Sequence, residues 1–156
     1  MRSFALVCLL ATTADARPIH GSIGGGGALV FLGEDGDRFR NELSLDLKWR
    51  SRYGGIVAWR AFDAGSLGDG DHEGLVTGGL VYEAGAARPR LVLDLTAEVG
   101  VDLDQKAPLV GGGIRNTIAI VGPLGVVLHT VAYVVIDGID DSRLHLQGNA
   151  LLAVRW

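Results

Sequence analysis

Three stretches of this chain alternate between apolar and polar residues for much longer than an ordinary strand lasts. In "RLVLDLTAEVGVDLD", residues 90 to 104, Leu91, Leu93, Leu95, Ala97, Val99, Val101 and Leu103 share one parity, and Arg90, Asp94, Thr96, Glu98, Asp102 and Asp104 the other. "NELSLDLKWR", residues 41 to 50, sets Leu43, Leu45, Leu47 and Trp49 against Ser44, Asp46, Lys48 and Arg50. The end of the chain sets Leu144, Leu146, Ala150, Leu152, Val154 and Trp156 against Arg143, His145, Gln147, Asn149 and Arg155. A period of two makes each a strand with one apolar and one polar face. Globular strands average about five or six residues, whereas a tilted strand crossing lipid takes about 9 to 11. At about 3.3 Å per residue and a tilt of about 40°, Phe39 to Trp49 rises about 25 Å, the height of the apolar band around a membrane barrel.

The remaining strand signals bring the total to eight. The expected segments are Ser22 to Leu32, Phe39 to Arg50, Gly54 to Phe62, Gly74 to Glu83, Arg90 to Asp102, Leu109 to Val121, Leu124 to Ile136 and Arg143 to Trp156. Gly, Asp and Pro fill the linkers, and no useful length has helical periodicity, so consecutive antiparallel hairpins are the economical topology. The expected fold class is all-β, an eight-stranded antiparallel up-and-down transmembrane β-barrel after an N-terminal signal peptide. An even number of such strands can close on itself and remove both sheet edges.

The N-terminus sets the compartment. "MRSFALVCLLATTADA" has one basic residue, an apolar run from Phe4 to Ala11 and the small-x-small triplet Ala14-Asp15-Ala16, the form of a secretory signal with its cleavage site. Residues 1–16 are therefore expected to be a signal peptide and 17–156 the barrel, exported to the bacterial outer membrane. Cys8 is the one cysteine, so the exported chain would hold no disulfide and would rely on strand pairing or on lipid. The net charge of −4 and the absence of a basic stripe exclude nucleic acid as an expected partner.

The aromatics and connections sort to two ends. With successive strands running up and down, Trp49, Tyr53, Tyr82 and Trp156 fall near one rim, as an aromatic girdle would; Trp59 and Tyr133 fit that pattern less well. That rim takes the short connections "SRYG", "EAGAAR" and "GPLG" and collects arginines. The opposite rim takes "GEDGDR", "DAGSLGDGDHE", "DLDQKA" and "DGIDDS", which are acidic. Alternating segments behind a signal-like leader, and a terminal strand "NALLAVRW" ending on an aromatic, resemble the small eight-stranded outer-membrane barrels of the OmpA transmembrane-domain and OmpX type. The resemblance covers the chain from residue 17 as a pattern. It implies partners in outer-membrane lipid and lipopolysaccharide, and in the barrel-assembly machinery, whose signal would map to Ala150, Leu152, Val154 and Trp156. Trp156 stands where phenylalanine is commoner in that family.

In such a barrel Leu43, Leu45, Leu47, Leu91, Leu93, Leu95, Leu152 and Val154 face lipid. Eight strands leave room for side chains and hardly for a pore, so inward charges must compensate one another. The expected interior network is Glu42, Asp46, Lys48, Arg60, Arg90, Asp94, Glu98, Arg115, His145 and Arg155. The glycines Gly78, Gly79 and Gly111 to Gly113 read as places where backbone lies close to a large inward side chain. No catalytic, cofactor or metal residues are expected: His129 and His145 have no serine at a dyad spacing. "GDGDHE" and "DGIDD" carry hard oxygen ligands without the calcium-loop pattern, and loosely held divalent cations there are the metal partners the loops allow. The function that follows is a small integral outer-membrane barrel with a structural or surface-interaction role. The main alternative is a soluble exported barrel of lipocalin or avidin type, with its apolar face turned inward on a small ligand. A lipid-modifying enzyme and a narrow pore rank below it.

Overall fold

A computed structural model describes residues 19–32, 39–49, 52–62, 74–86, 90–137 and 142–156. The stretch expected to be a signal peptide, and most of the acidic connections, lie outside the described residues. Eight strands form a closed antiparallel barrel in which each neighbours the next in sequence and the last returns to the first. They are β1 (Ile19–Leu32), β2 (Phe39–Trp49), β3 (Tyr53–Phe62), β4 (Leu75–Ala86), β5 (Leu91–Asp102), β6 (Ala107–Val121), β7 (Leu124–Ile136) and β8 (Ser142–Arg155). All eight expected segments are present, and their ends differ by at most three residues. The differences have cross-strand causes: Ile19 to Gly21 join β1 because they pair with Leu47 to Trp49, and β4 runs on to Ala86 against Val92.

The barrel has a terminal end, where β1 starts and β8 stops, and a loop end opposite. At the loop end the β5–β6 turn is built by Asp102, whose carboxylate accepts the main-chain N–H of Asp104 at 2.9 Å and of Gln105 at 3.1 Å. Aspartate suits this place because its short carboxylate reaches its own backbone two residues on. Lys106 completes the turn at φ 53°. The β6–β7 turn at the terminal end uses Gly122 at φ 53°, a conformation that costs glycine little.

Cross-strand rows fix which parity faces in. Ser22 pairs with Asp46, Asp46 with Ile56, Ile56 with Gly79, Gly79 with Glu98, Glu98 with Gly111, Gly111 with Tyr133 and Tyr133 with His145. This parity is buried. Glu42, Asp46, Arg60, Asp94, Glu98 and Arg115 all lie inside, while Leu43, Leu45, Leu47 and Trp49 point out, with Leu43 50% and Trp49 66% exposed. A one-residue slip in any pairing would exchange the two walls of that strand, so register is strongly specified.

Candidate functional site

Among the described residues the lumen gathers the buried charged side chains, and they are stacked in layers along it. β2 supplies a rung to each polar layer because Lys48, Asp46, Ser44 and Glu42 recur at every second residue from the terminal end inward. Nearest that end, Lys48 Nζ on β2 donates to both carboxylate oxygens of Asp94 on β5 at 2.7 Å and lies 3.8 Å from Glu83 Oε2 on β4. In the next layer Arg115 on β6 reaches β2, four strands away. Its Nη2 donates to Asp46 Oδ1 at 2.6 Å and to Ser22 Oγ at 2.9 Å, and its Nη1 to Ser44 Oγ at 3.4 Å. The Ser22 hydroxyl also donates to Asp46.

The third layer is the densest. Arg60 on β3 donates through Nη1 to Glu98 Oε2 at 2.5 Å, to Thr77 Oγ1 at 2.6 Å and to the Tyr133 hydroxyl on β7. Its Nη2 lies 3.3 Å from both Glu98 Oε1 and His129 Nδ1, and its Nε is 3.2 Å from Glu42 Oε1. Glu98 Oε2 also accepts from Thr77 at 2.7 Å and from Tyr133 at 2.9 Å. Thr96 Oγ1 lies 3.3 Å from His129 Nε2. Burying an arginine between carboxylates offsets desolvation only when hydrogen bonds occupy the remaining donors and acceptors. Here Glu98, Thr77 and Tyr133 supply them to the Arg60 Nη1 atom, while Glu42 faces Arg60 Nε as an ion pair without hydrogen-bond geometry. In an eight-stranded ring, strands four apart are diametrically opposed, so Arg115 to Asp46 and Arg60 to Tyr133 both cross the whole lumen.

Above these layers the lumen turns apolar. Leu75, Ala107, Leu109, Val131, Tyr133 and Val135 form one buried cluster, contributed by β4, β6 and β7 and by the residue that opens β6. Gly111 makes room for the tyrosine: a Cβ there would stand 2.7 Å from Tyr133 Cδ1. Gly78 meets no such crowding and points away from the lumen. A smaller apolar cluster of Val127, Leu151 and Ala153 lines the β7–β8 side nearer the terminal end. At the terminal mouth a cavity of about 70 Å³ is lined by His20, Lys48, Glu83, Thr117, Arg155 and Trp156, among others.

The structure brings Glu42, Asp46, Lys48, Arg60, Asp94, Glu98 and Arg115 together inside the barrel. His145 is half-buried, its Nε2 3.0 Å from Gln147 Oε1, and Arg155 lines the mouth cavity. Arg90 is a correction: it shares the inward parity but precedes the first residue of β5, in a turn beyond the wall, and its side chain is exposed. Sequence reasoning left out the uncharged members of the layers, Ser22, Thr77, Thr96 and Tyr133. Tyr133 misses the aromatic belts because it points inward, on the same parity as His129 and Val131. On the outside, Leu91, Leu93, Leu95, Leu152 and Val154 carry the outward parity, as do Trp49, Tyr53 and Tyr82 at the terminal rim. The Tyr53 and Tyr82 rings are 5.1 Å apart, and Trp156 is half-buried at the end of the chain, against Gly21 of β1. Among the described residues no group of three or more His, Cys, Asp and Glu is placed to hold a metal ion. The "GDGDHE" connection lies outside the described residues. Comparison of the chain with models of known protein families finds no match, and comparison with curated proteins finds none either.

Proposed function

We propose that this protein is a small integral outer-membrane β-barrel of the OmpA and OmpX kind, with a structural or surface-interaction role. The observation that carries the reading is the inversion of its walls. Large apolar side chains such as Ile23, Leu43, Leu80, Val99, Ile114, Leu128 and Leu152 cover the outside, while Lys48, Arg60 and Arg115 are buried within beside Glu42, Asp46, Asp94 and Glu98. In water such an exterior would be a contiguous apolar patch far larger than soluble monomers carry, whereas acyl chains cover it at no cost. The lipocalin-like alternative needs the apolar parity inside, whereas along β2 and β5 the polar parity is the buried one. The braces across the lumen work against a conducting path.

A signal-like leader at residues 1–16 supports export, and the terminal strand with Ala150, Leu152, Val154 and Trp156 supports delivery by the barrel-assembly machinery. Lipopolysaccharide and outer-membrane lipid are then the surrounding partners. Cell fractionation tests the reading, together with gel migration before and after boiling. The expected result is a species that detergent alone extracts from outer membranes and whose mobility changes on heating. A water-soluble periplasmic species with unchanged mobility would refute it.

A further inference from the structure

Three arginines at the terminal rim are anchored by main-chain bonds. The carbonyl of Arg52 accepts from the N–H of Glu83 at 2.7 Å, and that of Arg90 from the N–H of Ala119 at 2.7 Å. Arg155 donates its own N–H to the carbonyl of Pro123 at 2.7 Å. These bonds tie the start of β3 to β4, the start of β5 to β6, and the end of β8 to the β6–β7 turn, so the arginines are spread around the circumference. Arg52 and Arg90 are exposed, and Arg155 stands half-buried at the mouth.

The wall directly beneath is amphipathic in a fixed order. First come the rim aromatics: Trp49 and Tyr53 are exposed, Tyr82 stacks against Tyr53, and Trp156 closes the strand end. Then follow Leu47, Leu80, Leu95, Ile118 and Leu152, all pointing outward and exposed. Among the described residues Glu83 is the one carboxylate on this rim, and it faces Lys48 at 3.8 Å. Among the described residues the loop end has no such excess, since Lys106, Arg40 and Arg143 there are balanced by Asp102, Asp104 and Asp137. Apolar wall, aromatic belt and cationic ring repeat the order of acyl chain, glycerol ester and phosphate in a phospholipid standing alongside.

We propose that this rim selects anionic phospholipids over zwitterionic ones, with Arg52 and Arg90 contacting headgroup phosphate and the aromatics seated at the ester level. The proposal rests on the membrane reading above and adds a headgroup preference confined to one end. A zwitterionic headgroup carries its own ammonium, which competes for the phosphate and cancels the net attraction. An anionic headgroup leaves the attraction whole.

The test uses the full chain carrying Trp59→Phe, so that emission comes from Trp49 and Trp156, both at this rim. The chain is reconstituted into vesicles of phosphatidylcholine containing either brominated phosphatidylglycerol or brominated phosphatidylcholine. Bromine quenches tryptophan on contact, and the ratio of quenching gives the relative association of the two lipids. The expected ratio favours phosphatidylglycerol by about fivefold for each arginine engaged. It should fall toward one in Arg52→Gln/Arg90→Gln and in high salt, which screens exposed charges. Equal quenching by both lipids, or a preference that survives the double substitution, would overturn the headgroup inference while leaving the barrel in its membrane. Quenching by neither lipid would overturn the membrane reading and this inference with it.

Discussion

The two walls of β2 differ by one residue step and by almost everything else. Leu45 stands on the outside, 37% exposed, between the outward Ile23 and Val57 of the flanking strands. Asp46 stands on the inside, accepting from Arg115 across the lumen and from Ser22 on the neighbouring strand. A soluble barrel would reverse these environments, placing the aliphatic row in the core and the aspartate in water. The difference teaches that the usual core is divided here. Specificity sits in the polar layers that brace opposite strands, apolar burial inside the barrel is confined to two small clusters, and most of the large aliphatic side chains are left to whatever surrounds the barrel.

The inner wall is where a single change should cost most. Glu98→Leu removes the carboxylate that accepts from Arg60, Thr77 and Tyr133, leaving Arg60 with Glu42 as its remaining ion-pair partner. The expected loss is about 3 to 5 kcal/mol of unfolding free energy, read by denaturant titration in vesicles. Combining it with Arg60→Met should recover part of that loss, because the pair then vanishes together. A double variant no more stable than Glu98→Leu alone would show that the two side chains are not coupled.

On the outer wall, Leu45→Arg should cost about 2 to 4 kcal/mol when the barrel is in lipid, since the residue lies near mid-strand. The same change would cost little on a surface facing water, so an unaltered stability in vesicles would break the comparison outright. Asp46→Asn keeps the shape and leaves the outer wall untouched. It should weaken the Arg115 layer without reducing insertion. Smaller again is Tyr133→Phe, which deletes one hydroxyl that donates to Glu98 and accepts from Arg60. A hydrogen bond to a charged group contributes about 1.5 to 3 kcal/mol, and the same titration should show a loss in that range. No loss would mean that Arg60 and Thr77 together satisfy Glu98 without the tyrosine.

How much of this was legible beforehand depends on whether the signal is local. Alternation in residues 41 to 50 and 90 to 104 announces strands and faces because a period of two is a property of the strand itself. The Gly-rich start of β1 is weaker: Gly24 to Gly27 offer no alternation to read, and only pairing with β2 and β8 places them. The charged residues of the lumen could be found by parity, but their partners could not. Arg60 meets Tyr133 73 residues later, and Arg115 meets Asp46 69 residues earlier, through a closure that no stretch of sequence contains. Parity also fails where a strand ends, which is why Arg90 lies outside the network. Tyr133 was recoverable, since it sits two residues from Val131 and four from His129 on the inward side of β7.

The finest test adds one hydroxyl to each wall at neighbouring positions. Val57→Thr preserves shape on the outside of β3, where Val57 is 59% exposed and its cross-strand partners are Leu45 and Gly78. In lipid the new hydroxyl finds no water and should cost about 1 kcal/mol. Ala58→Ser places its hydroxyl on the inside, where Ala58 is paired with Ser44 on one flank and Thr77 on the other. There it can share hydrogen bonds with hydroxyls already in the lumen, so its cost should be the smaller of the two, in the same vesicles and by the same titration. For a barrel in water the order would reverse: Val57→Thr would be close to neutral, and Ala58→Ser would carry whatever strain the buried oxygen brings. The sign of the difference therefore reports which solvent the outer wall meets.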